Sequence, residues 1–165
     1  MRPVICALTA MILAGCTVHY VPNPSPEELI VIPAFKPGQP VAIVNKTTPR
    51  ETLLPMRGSD LQVDFGKYAD SVVQLLQSEL AKRGGVVDAS SSREIRFDLT
   101  DVRMDQGAGR QRCVINFTIG TADGYFRGLQ ASGVGWSYEK AIDGAIVEVV
   151  KAILTNERVR KYVSE

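Results

Sequence analysis

Between residues 94 and 121 the chain alternates by twos. Ile95, Phe97 and Leu99 alternate with Arg96, Asp98 and Thr100, and Cys113, Ile115, Phe117 and Ile119 alternate with Val114, Asn116 and Thr118. A two-residue period places one set of side chains on each face of a sheet, so one face is buried and the other wetter. Asp105-Gln106-Gly107-Ala108-Gly109 separates the two runs as a turn. Ala122-Asp123-Gly124 follows the second run and carries the Asp-Gly pair common in tight hairpins. A third strand, glycine-rich and less regular, occupies residues 125–134. Three consecutive strands on short turns make an antiparallel meander.

The flanking segments supply the cover. Leu61, Phe65, Ala69, Val72, Val73, Leu76 and Leu80 recur at three- and four-residue steps, which is one apolar stripe of a long helix. Ser59 or Asp60 caps its start, Lys82 and Arg83 fall in its last turn, and Gly84-Gly85 stops it. Ala141, Ile142, Ala145, Ile146, Val149, Val150, Ile153 and Leu154 form a second stripe. Asn156 breaks or caps that helix, and residues 157–162 add a short charged one. Trp136 and Tyr138 read as core residues at the junction before the second stripe. Val41-Ala42-Ile43-Val44, ending at Asn45, is a short buried first strand. The loop 46–58, with Lys46, Arg50, Pro55 and Gly58, is long enough to be functional.

The order strand, helix, three strands, helix predicts an α+β fold, a two-layer α/β sandwich built on a mixed sheet. The first crossover is right-handed and its strands parallel. Both helices pack on the one apolar face. The opposite face, with Arg96, Asp98, Asn116, Thr118, Gln130 and Ser132, is left for water or a partner.

Upstream the composition changes. All nine prolines lie at or before Pro55. Six of them make residues 17–40 a stiff tether, which at ~3.1 Å per residue reaches about 70 Å. Leu29-Ile30-Val31-Ile32 is too apolar for a spacer and is expected to lie on the domain as an edge strand or to dock on a partner. Before the tether, Arg2 and the apolar residues 4–14 match a signal peptide, being too short to span a bilayer.

That leader ends in Leu13-Ala14-Gly15-Cys16, which resembles the lipobox of bacterial lipoproteins. The resemblance implies cleavage before Cys16, acylation of its sulfur and of the new amino terminus, and, because Thr17 rather than aspartate follows, export to the outer membrane facing the periplasm. The organisation is then a leader over 1–15, a lipidated cysteine and tether over 16–40, and a single domain over 41–165. The element order is similar to small envelope lipoproteins: the amino-terminal domain of the Tol-Pal translocation protein, and curli-export and lipopolysaccharide-assembly lipoproteins. That likeness is one of pattern, and it transfers no site residues. The peptidoglycan-binding signature of the OmpA-like domain is missing.

Residues 1–15 hold one charged side chain, Arg2, so the mature chain carries 18 basic against 18 acidic groups. Such a balance disfavours bulk binding to nucleic acid. The one histidine, His19, lies in the tether, so neither a histidine-based triad nor a zinc site can be assembled in the domain. Gly107-Ala108-Gly109-Arg110 lacks the lysine and the following helix of a phosphate cradle and reads as a turn. Cys113, the thiol left after Cys6 departs and Cys16 is acylated, is expected to be buried and inert. Arg103, Arg110 and Arg112 at the hairpin read as an ordinary solvated end, the alternative being a small cationic tip for an anionic lipid or glycan.

The expected function is therefore that of a non-enzymatic binding or assembly component of an envelope complex. It would need no cofactor and no metal beyond the covalent lipid on Cys16. Its partner would be another envelope protein, met through Arg96, Asn116, Thr118, Gln130, Arg110 and Arg112; the oligomeric state is left open. The alternative is a small-ligand or glycan-directed protein that uses the carboxylates of Asp98, Asp101 and Asp105.

Overall fold

A computed structural model describes residues 17–25, 32, 34–107 and 109–165. Cys16 and residues 29–31 lie outside them. The elements in chain order are β1 (Thr17–His19), β2 (Ala42–Asn45), β3 (Glu51–Met56), β4 (Ser59–Asp64), α1 (Phe65–Lys82), β5 (Glu94–Gln106), β6 (Gln111–Thr121), β7 (Phe126–Gly135), α2 (Tyr138–Thr155) and α3 (Glu157–Ser164).

The meander forms as its alternation demands. β5, β6 and β7 pair antiparallel, and β2 joins β5 in parallel, giving a mixed sheet in the order β2-β5-β6-β7. Its inner face presents Ile95, Phe97, Leu99, Ile115, Phe117 and Ile119, each at most 1% exposed. α1 lies against β2 and β5, α2 against β6 and β7, and the two helices touch each other. The α+β class and the helix-covered sheet match the sequence pattern. At ~2 kcal/mol per fully buried large apolar side chain, this face supplies most of the drive to fold.

The element order is richer than expected, because a second sheet is present. β1, β4 and β3 associate in the order β1-β4-β3, with β3 and β4 antiparallel and β1 parallel to β4. The stretch 46–58 is therefore largely a hairpin strand rather than a loop. Its turn is Arg57-Gly58, where Gly58 has φ +87°, a conformation open to glycine without a Cβ penalty. Leu61 belongs to β4, not to the helix. Leu61, Val63 and Phe65 follow a strand period, whereas Leu61, Phe65 and Ala69 follow a helical one. Asp64 decides between them: its backbone is extended (φ −95°, ψ 106°) and its side chain accepts from the Lys67 N–H. The helix cap is thus Asp64, not Ser59 or Asp60.

The described residues of the proline-rich stretch do not run as a spacer. Thr17, Val18 and His19 pair with Asp60, Leu61 and Gln62. The Tyr20 hydroxyl donates to Asp143 Oδ2 at 2.8 Å, and the Asn23 N–H to Asp143 Oδ1 at 2.9 Å. Ile32 is buried in the core, and the Gly38 N–H donates to the Val163 carbonyl at 2.9 Å. A chain already stiffened by proline loses less entropy on docking than a flexible one.

Among the described residues one charged side chain is buried. Glu79 of α1 is 3% exposed and accepts from Lys82 Nζ at 2.7 Å and Arg83 Nη1 at 2.6 Å. Burial alone would push its carboxyl up, but hydrogen bonds and charge from Lys82 and Arg83 outweigh that and hold it below the ordinary 4.5. A carboxyl depressed on folding stabilises the protein above its unfolded value, and that contribution is lost as pH falls through the folded one. Urea midpoints should therefore fall on acidification below pH 4.5, and less steeply in Glu79→Gln. Parallel acid slopes for the two proteins would contradict this.

Candidate docking face

Among the described residues no helix covers the outer face of the four-stranded sheet, and its polar side chains are ordered by one another. Gln130 Nε2 on β7 donates to Asn116 Oδ1 on β6 at 2.8 Å, and Asn116 Nδ2 donates to Asp101 Oδ2 on β5 at 3.1 Å. Arg103 Nε closes the row at 3.2 Å from the same Asp101 oxygen. Simple alternation would have turned Asp101 inward. A register shift between Leu99 and Asp101 adds one residue to β5, so Val102 faces the core and Asp101 stands opposite Asn116.

The remaining candidates fall around this row. Arg112 Nη2 donates to Ser132 Oγ at 3.2 Å across β6 and β7. Arg96 is tied to Glu94 at 2.8 Å, and Thr118 stands between Asp98 and Gly128. Arg110 lies at the β5–β6 turn, its guanidinium 4.8 Å from the centre of the Trp136 ring. Arg96, Asn116, Thr118, Gln130 and Arg112 thus share one face, with Arg110 at its end.

The face is closed at each end by an exposed aromatic ring. Phe126 is 71% exposed and borders a hollow of about 320 Å³ lined also by Lys46, Arg96, Asp98, Thr118 and Gly120. Gly120 forms the floor, where a Cβ would meet the Tyr125 carbonyl oxygen at 3.1 Å. At the other end Trp136 is 77% exposed and Val134 55%. Trp136 is therefore not a core residue. Gly133 and Gly135 press β7 so closely on α2 that the junction has no room for an indole beneath it. Tyr138, two residues on, takes the inner position and meets Tyr20 edge to face at 6.0 Å.

Asp98, Asp101 and Asp105 all lie along the outer side of β5, but in different settings. Asp98 borders the hollow, Asp101 is held by Arg103 and Asn116, and Asp105 stands opposite Arg112. The geometry gathers no pocket around a pair of free carboxyls. Cys113 is fully buried, and burial first and the Asp105 charge second push its thiol up to about 12, far from a thiolate at neutral pH. Among the described residues no group of three or more His, Cys, Asp or Glu side chains could hold a metal, and no helix is long and apolar enough to cross a membrane.

Lys46 and Phe126 carry weak signals in the sequence: Lys46 falls in the stretch that reads as a loop, and Phe126 opens a strand whose pattern is irregular. Gly120 on β6, standing opposite Phe126 on β7, is the trace the hollow leaves in the sequence.

No protein-family model and no curated protein matches the chain. Among solved structures, protein XCC0632 of Xanthomonas campestris, assigned to the family DUF330, is similar with a TM-score of 0.52 over 90% of this chain and 95% of its own, at 13% identity. The two chains share a fold. A minor lipoprotein from Acinetobacter baumannii has a TM-score of 0.40 at 12% identity, over 70% of this chain and 89% of its own. A PelC dodecamer from Paraburkholderia phytofirmans has 0.37 at 14%, over 80% and 91%.

Proposed function

We propose that this chain is an envelope lipoprotein and a non-enzymatic docking component. Acyl chains on Cys16 hold it at the periplasmic face of the outer membrane, and the outer face of the four-stranded sheet receives another envelope protein. The observation that supports the docking role is the row Arg103, Asp101, Asn116 and Gln130. Its side chains are already fixed by mutual hydrogen bonds, so a partner would meet a surface whose ordering entropy is largely spent. Phe126 at one end of the row supplies an exposed aromatic anchor of the kind that concentrates binding energy in interfaces. The address rests on Leu13-Ala14-Gly15-Cys16.

The test is site-specific photo-crosslinking in intact cells from position 130, with position 48 as comparator. An adduct from 130 should vanish in an Asn116→Arg/Thr118→Arg variant, while the membrane fraction of that variant stays at the wild-type level. The same adduct in both proteins, or none from 130, would overturn the docking role.

A further inference from the structure

The start of β1, the β3–β4 turn, the β5–β6 turn and the end of β7 all lie at one end of the molecule. Thr17 pairs with Asp60, one residue past the Ser59–Met56 pair that closes the β3–β4 hairpin. The N–H of Arg57 in that turn donates to Gln106 Oε1 at 3.1 Å. Gln106 stands opposite Gln111, and Gln111 opposite Gly135, which precedes Trp136. From Gln106 to Gly135 is two strand spacings, about 10 Å. Cys16 is bonded to Thr17, so its Cα is ~3.8 Å from the first residue of β1. No spacer separates the acylation site from this end.

We infer that this end, carrying Arg57, Arg110, Arg112, Val134 and Trp136, is seated on the phospholipid headgroup layer. The inference rests on the lipidation of Cys16 proposed above and adds an orientation to it. The end fits that surface chemically. An exposed tryptophan belongs at the headgroup level, where its ring meets apolar matter and its N–H meets water. Arg57, Arg110 and Arg112 form no salt bridge among the described residues, which leaves the guanidinium groups of Arg57 and Arg110, and the N–H groups of Arg112 not given to Ser132, for phosphate oxygens. Arg110 stacked on Trp136 presents charge and ring together. The carboxylates of Asp60, Asp105 and Glu139 lie at the same end; with Lys140, the cations outnumber them. In this orientation the strands stand on the bilayer, and the row around Asn116 faces sideways, open to a partner in the same membrane.

Trp136 is the one tryptophan of the chain, so its fluorescence reads the inference directly. The full-length lipidated protein, reconstituted into vesicles of phosphatidylethanolamine and phosphatidylglycerol, should float with the vesicles. Its emission should shift to the blue, with acrylamide quenching reduced about twofold relative to a soluble form starting at Cys16→Ser. A lipid bearing a nitroxide on its headgroup should quench it. An Arg57→Glu/Arg110→Glu variant should float equally yet lose the shift and the nitroxide quenching.

Flotation with unchanged Trp136 emission would overturn the seating while leaving the lipid anchor intact. A blue shift without nitroxide quenching would mean that a second copy covers the ring, and overturns it too. Retention of both signals in the charge-reversed variant would remove the arginines from the contact. Failure to float, with an unmodified mature start in mass spectrometry, would remove the anchor and the seating together.

Discussion

Gly133→Ala should cost the protein about 3 kcal/mol, the top of the range for overpacking, and lower its melting temperature by roughly 6–12 °C. A Cβ at position 133 would lie 2.2 Å from the Ala145 nitrogen, 2.3 Å from the Ala141 oxygen and 2.6 Å from the Gly144 carbonyl carbon. All three are backbone atoms of α2, so no side-chain rotation relieves the clash, and β7 must part from the helix. That separation opens the layer in which Ala141, Ala145 and Ile142 are fully buried. Gly128, on the same strand, is the internal control: nothing lies within 4 Å of its added Cβ, and Gly128→Ala should stay within ~0.5 kcal/mol of wild type. Urea denaturation of the two variants decides it. Equal midpoints would mean that α2 does not sit on β7 as described.

The same contact marks the limit of what the chain discloses in one dimension. Period-two alternation around Phe97 and Phe117 and the two helical stripes were enough to predict the meander, its helical cover and the wet face with Asn116, Thr118 and Gln130. Each is a local pattern with a single solution. The β3–β4 hairpin was hidden because Leu61 and Phe65 satisfy a helical step as well as a strand step, and because a proline in a run argues against a strand. Pro55 is tolerated because β3 is an edge, where the missing N–H removes no ladder bond. The position of Asp101 depends on a bulge, and the exposure of Trp136 on two glycines acting against another element. The docking of Thr17, Tyr20 and Asn23 joins residues more than 100 positions apart in part, so prolines that read as a spacer turn out to stiffen a wrapping segment. The resemblance of Leu13-Ala14-Gly15-Cys16 to a lipobox is legible as a motif, because a signal of that kind is read as an extended peptide and needs no tertiary context.

On the proposed acylation of Cys16, placing serine at position 16, behind a leader cut by the general signal peptidase so that no uncleaved leader remains, should move the protein from the membrane pellet to the soluble fraction. One acyl chain gives a membrane partition constant of only ~10⁴ M⁻¹, at about 0.8 kcal/mol per buried methylene. Each further chain of similar length multiplies that constant by several orders of magnitude, which is how a residue carrying several chains makes release negligible. No described helix can replace that anchor. What would remain is the end bearing Arg57, Arg110, Arg112 and Trp136, whose attraction to anionic headgroups is screened within a Debye length of ~8 Å at physiological salt. The serine protein should therefore show weak vesicle binding at low ionic strength that salt abolishes, whereas the wild type resists the same wash. Salt-resistant retention of the serine protein would show that something other than the sulfur at position 16 holds the domain, and the docking face would then have to be placed relative to that other anchor.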